Sequence, residues 1–142
     1  MLIYSYYVIF VYRLDGIIMN VVEIKKYCMS KHKAEEDYPF GDVPICYRLN
    51  GKIFAQLYPY EHDLKITLKC TVESGQMFRM LFPEQVKRGY HCPPVQQPYW
   101  NTIQISGFPD NVLLDMIDIA YDTVFNSFSK KIRKLILEDH EE

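Results

Sequence analysis

The chain has 142 residues, of which 49% are hydrophobic and 24% charged, the range of one compact globular domain. That composition excludes a disordered, collagen-like or multidomain protein, and at this length folding removes roughly two-thirds of the unfolded surface from water, so the core needs no disulfide or metal. Sixteen basic residues against eighteen acidic leave a net charge of −2, too small to name a partner. The distribution says more: residues 43–105 hold seven basic and four acidic groups, residues 1–42 five and six, and residues 106–142 four and eight.

The run from Leu2 to Tyr12 (LIYSYYVIFVY) is almost unbroken β-branched and aromatic sequence. As a helix it spans only about 17 Å against a hydrocarbon core of about 30 Å, which argues against a transmembrane segment. A signal peptide wants positive charge before the apolar run and small residues after it, and neither is present. The choice left is an extra strand or an N-terminal extension over residues 1–18; we take it as an extension ahead of a single domain over residues 19–142. Cys28, Cys46, Cys70 and Cys92 are widely spaced, without a C-x-x-C pair, and read as free thiols in a reducing, cytoplasmic setting.

Asn20-Val-Val-Glu23 has the form of a capping box and starts a helix to about Ser30, with Val21, Ile24 and Cys28 on one face. Glu35-Glu36-Asp37-Tyr38-Pro39-Phe40-Gly41 reads as a loop with an acidic start. Ile45–Leu49, Asn50-Gly51 and Lys52–Tyr58 form a hairpin, because Asn-Gly supplies the two positive-φ residues of a type I′ turn. The expected pairs are Leu49 with Lys52, Arg48 with Ile53, Tyr47 with Phe54, Cys46 with Ala55 and Ile45 with Gln56. A third strand, Leu64–Lys69, alternates Leu64, Ile66 and Leu68 against Lys65, Thr67 and Lys69. Thr71 caps a helix to about Phe82, ended by Pro83. Residues 84–99 read as a long Pro-containing loop. Trp100–Ser106 is the fourth strand. From Pro109, apolar residues at spacings of three and four describe one long helix ending near Lys134, followed by an acidic tail. Strands and helices without βαβ alternation predict an α+β domain: a four-stranded antiparallel sheet with helices packed on one face.

No phosphate loop, nucleophile elbow or paired-histidine metal helix appears. If Ile53, Ala55, Leu57, Leu64, Ile66 and Leu68 face the helices, the other side of the sheet presents Tyr47, Phe54, Tyr58 and Trp100 interleaved with Lys52, Lys65 and Lys69. Lysines there neutralise phosphates while rings stack on bases, a pattern that fits nucleic acid. It also fits a protein partner. A third arrangement buries Tyr47, Phe54 and Trp100 under the extension or the long loop.

Five short segments, Ala34–Gly41, Gly51–Ala55, Leu68–Cys70, Gly89–His91 and Trp100–Ile103, occur in the order of the MmcQ/YjbR family, and the chain resembles that family from about Met19 to Lys134. The resemblance implies a small bacterial cytoplasmic protein with a CyaY-like fold, DNA-binding through a "double wing", without enzyme activity and without a cofactor. Lys52, Lys69, Trp100 and Asn101 match family motifs and are the expected DNA contacts. Lys65, Lys87 and Arg88 join them on charge alone. Family members usually carry basic residues between the Tyr-His pair and the Trp, whereas Cys92–Tyr99 here has none. Binding is therefore expected to be weak, salt-sensitive and without sequence preference. The alternatives are a protein-interaction domain using the same face and, from the frataxin-type fold, a metal-binding protein with Glu35, Glu36 and Asp37 as ligands.

Overall fold

The computed structural model describes residues 19–138. The expected N-terminal extension, and the acidic tail beyond Glu138, lie outside the described residues. Four helices and six strands follow in the order α1 (Val21–Ser30), β1 (Ala34–Asp37), β2 (Ile45–Leu49), β3 (Lys52–Tyr60), β4 (Asp63–Lys69), α2 (Val72–Leu81), β5 (Val86–Arg88), β6 (Trp100–Gln104), α3 (Asp110–Ser127) and α4 (Lys130–Leu137). The sheet runs β1-β2-β3-β4-β6-β5 with every neighbouring pair antiparallel. The α+β class holds, but the sheet has six strands where four are read from the sequence.

The local signals that specify element starts are realised. Asn20 and Glu23 exchange the two capping-box bonds at the head of α1, and Thr71 with Ser74 does the same for α2, satisfying amides that a helix start leaves without partners. Asn50 and Gly51 take φ of 47° and 85°, the left-handed conformations the tight turn requires.

Outside the hairpin, four elements depart most from the sequence reading. Residues 34–37 form an edge strand, because β2 offers a ladder to a segment whose own residues are poor strand formers. The loop over residues 84–99 contains β5 and a 3₁₀ turn, Gln97–Tyr99. β6 ends at Gln104. The single long helix is two, since Phe128 leaves the helical conformation and the Ser129 hydroxyl accepts from the Ile132 amide to start α4.

The largest correction concerns the hairpin. Leu49 pairs with Lys52 and Arg48 with Ile53, but Tyr47 pairs with Ala55, Cys46 with Gln56 and Ile45 with Leu57. A β-bulge places Phe54 as an extra residue, so the alternation of β3 inverts across it. Phe54, Ala55 and Leu57 thus all enter the core together with Tyr47 and Leu49. The Phe54 ring meets Tyr121 of α3 edge-on at 5.6 Å. Tyr47 and Phe54 are fully buried on the helix side, and Ile53 takes the opposite one.

The helices close that one face. Ile24 and Cys28 of α1, Phe78 of α2, Val112 to Val124 of α3 and Ile136 of α4 join Ile66, Leu68 and Ile103 in a single core. A polar brace ties α1 to α3: the Tyr27 hydroxyl donates to Asp118 Oδ1 at 2.6 Å, and Lys31 Nζ donates to the same oxygen. All four cysteines are free thiols, and burial pushes Cys28 up to about 12 and Cys70 up to about 11, so neither is a thiolate at neutral pH.

Candidate functional site

Antiparallel pairing brings the end of β2, the start of β3, the end of β4 and the start of β6 to the same margin of the sheet. There Arg48, Lys52, Ile53, Lys69 and Trp100 meet Thr123, Val124 and Ser127 of α3 around a groove of about 380 Å³. Three of the seven residues expected to touch DNA, namely Lys52, Lys69 and Trp100, therefore share one concavity. Arg48, which the sequence reading uses only as a hairpin partner, joins them in the groove lining. Its signal was available in its placement beside the Asn50-Gly51 turn.

Lys52 follows Leu49 onto the helix side, where its Nζ donates to Ser127 Oγ at 3.1 Å and stands 4.7 Å from the centre of the Phe128 ring. Lys69 reaches the groove from the other side of the sheet. Directly opposite Trp100 in the ladder, it holds Nζ 5.0 Å from that ring and 5.4 Å from Tyr99. Among the described residues no carboxylate lies within 4 Å of either ammonium. Burial lowers the Lys69 pKa below its ordinary value, and the nearby Lys52 charge acts in the same direction. Arg48, by contrast, is already engaged: its Nε donates to Asp37 at 2.7 Å and its Nη1 to the Gly51 carbonyl at 2.8 Å.

The remaining expected contacts lie elsewhere. Lys65 is on the same face as Lys69 but is paired with Asp63 at 3.2 Å and lies over the Tyr58 ring. Lys87 and Arg88 stand on the edge strand β5, where Lys87 Nζ donates to the Pro83 carbonyl. Asn101 is 1% exposed, on the helix side; it accepts from Arg79 at 2.6 Å and donates to the Gly75 carbonyl at 3.2 Å. It is a structural link between β6 and α2 and offers no surface to a ligand.

The long connection after β5 folds back over the centre of the open face. Gly89 extends the β5–β6 ladder by donating to the Trp100 carbonyl at 2.9 Å, and a Cβ there would meet the Trp100 Cβ at 2.9 Å, so only glycine lets the two backbones approach. Beyond it the His91 ring meets Tyr58 edge-on at 5.9 Å, with Nε2 3.3 Å from Gln56 Oε1. Burial lowers the His91 pKa, with Lys65 reinforcing it. Gln56 is buried beside His91, Thr67 is buried beside Thr102, and Tyr58 is half-covered, so of the rings expected on this face only Trp100 lines the groove.

Glu35, Glu36 and Asp37 do not converge. Successive strand residues alternate sides. Glu36 accepts from Tyr47 and Tyr38, and Asp37 binds Arg48. Among the described residues no three His, Cys, Asp or Glu side chains are grouped to hold a metal ion, and no helix is long and apolar enough to cross a membrane.

The YjbR family model matches residues 29–123, well over half of the chain. The chain belongs to the YjbR family. It is 23% identical over 121 residues to the uncharacterized YjbR proteins of Escherichia coli K12 and O157:H7, covering 84% of this chain and 99% of theirs. Two crystal structures share the fold. A Deinococcus radiodurans protein, DR2400, with a DUF419 family domain, superposes with a TM-score of 0.76 at 21% identity over 91% of this chain and 96% of its own. A Pseudomonas syringae protein does so with a TM-score of 0.60 at 20% identity, over 75% and 99% respectively. The YjbR match contains every wall of the groove except Val124 and Ser127 and stops before α4.

Proposed function

We propose that this YjbR protein is a cytoplasmic, non-enzymatic, DNA-binding-type module that holds the nucleic-acid backbone in the groove at the sheet margin. The observation that carries the reading is the pair of ammonium groups, Lys52 and Lys69, which share one concavity with Trp100 and, among the described residues, have no carboxylate partner. Two cations whose charge no carboxylate offsets can neutralise phosphates, and an adjacent half-exposed indole offers a surface for a base or sugar. The β2–β3 turn and the β5–β6 connection flank the groove and would serve as the two wings of the "double wing". The CyaY-like resemblance also suggests iron, but Glu36 faces the side opposite Glu35 and Asp37, and Glu36 and Asp37 are already engaged by Tyr47, Tyr38 and Arg48, which favours the anion-binding role.

With two uncompensated cations the affinity is weak and falls steeply with salt. The test is fluorescence anisotropy of labelled duplex and single-stranded DNA at low ionic strength. Binding that Lys52→Glu plus Lys69→Glu abolishes is expected. No binding by the folded wild-type protein, or binding indifferent to that double substitution, overturns the reading, and capture of a specific protein through the same groove would replace it.

A further inference from the structure

The helix α4 lies outside the span shared with the family model and carries charge that the groove alone does not use. Within it Ile132 and Ile136 turn toward the core, while Lys130, Lys131 and Lys134 are exposed and Arg133 is half-exposed. Among the described residues none of these four cations is within 4 Å of a carboxylate. In a helix of 3.6 residues per turn Lys130 and Lys134 occupy one ridge opposite Ile132 and Ile136, a single turn apart.

That ridge starts beside the groove. Lys52 donates to Ser127 and packs on Phe128, and Ser129 is the cap of α4. Three chain steps from Ser127 to Lys130 span at most about 11 Å, roughly three phosphates of a stacked strand. Lys69 and Lys52 in the groove and Lys130 and Lys134 on α4 are thus joined by a segment short enough for one strand to reach both pairs.

We propose, resting on the nucleic-acid reading above, that the ligand is single-stranded and long enough to leave the groove along α4, with Lys130 and Lys134 holding its phosphates. A concavity of about 380 Å³ is of small-molecule size and seats a nucleotide whose base is free, which a duplex does not offer. The other partner that a basic amphipathic helix suits is an anionic membrane. Here the apolar stripe is already spent on the core, leaving only Leu135 and Leu137 exposed.

The experiment compares the full chain with Lys130→Ala plus Lys134→Ala, both surface changes, using oligothymidylates of roughly three and roughly twelve nucleotides. The wild type is expected to bind the longer strand at least about tenfold more tightly. The double variant should lose that advantage, keep its affinity for the short strand, and show a log affinity against log salt slope reduced by about 1.4, two phosphates at about 0.7 each. Equal affinity for both lengths, or a variant that behaves as wild type, overturns the role of α4 while the groove reading stands. Failure of both strands to bind removes the groove reading itself. Tighter association with phosphatidylserine vesicles than with the longer strand, lost in the variant, assigns α4 to a membrane surface instead.

Discussion

Lys65 and Lys69 stand on the same face of the same strand, four residues apart, yet only one of them is available to an anion. At one end of β4 the ammonium is neutralised by Asp63 and rests on Tyr58, beneath the connection that His91 pins down. At the other, Lys69 has two rings and a second lysine for company and no carboxylate. The difference teaches that alternation along a strand assigns a face, while the neighbours brought in by pairing decide whether a charge on that face is spent. The two ends of β4 share a face and differ in whether a carboxylate offsets the lysine.

The largest test of this contrast sets a core ring against the groove ring. Phe54→Ala empties a fully buried site and should cost about 3–5 kcal/mol in urea unfolding. Trp100→Ala, at a half-exposed position, should cost about half as much while removing most of the DNA affinity. Equal destabilisation by the two would make Trp100 a core residue like any other.

How far the sequence could foresee this division depends on the length scale of each signal. Asn20, Asn50-Gly51 and Thr71 act on backbone groups within three residues, and all three mark their elements correctly. β4 alternates without interruption and its faces follow. The hairpin misleads because a single inserted residue reverses which side Lys52, Ile53 and Phe54 occupy, and nothing local to β3 announces it. The edge strand β1 exists only because β2 is beside it. Of the expected contacts, Lys52, Lys69 and Trp100 come together, Asn101 is lost to the interior, and Arg48 enters because the turn carries it to the sheet margin. Interior or surface is a long-range property for a residue such as Asn101, whose amide suits either.

A smaller effect separates the two lysines directly. Lys69→Ala should weaken binding of labelled single-stranded DNA about tenfold, the scale of one charge-assisted contact of about 1.5 kcal/mol, whereas Lys65→Ala should stay within about twofold. Similar losses from both would erase the distinction between the ends of β4.

The smallest lies in pH. Burial makes Lys69 easier to deprotonate in the folded protein than in the unfolded chain. A bound phosphate favours the charged form, so binding takes up a proton as pH approaches the lowered pKa, and affinity falls as pH rises through it. The decline should begin at lower pH than for an ordinary lysine, and Lys69→Arg, which stays charged, should delay it. An unchanged profile in that variant would place the titration on another group.

The irregularity in the β2–β3 ladder has a further consequence for how this architecture tolerates change. Because one additional residue hands Lys52 to the layer of α3, the groove draws its walls from both layers of the molecule, and Lys52 ties the last turn of that helix to the hairpin arm. A deletion at position 53 or 54 would not merely shorten a strand. It would turn the arm's tip over, strand that amino group on the wrong side of the sheet, and uncouple the two layers at the point where they cooperate.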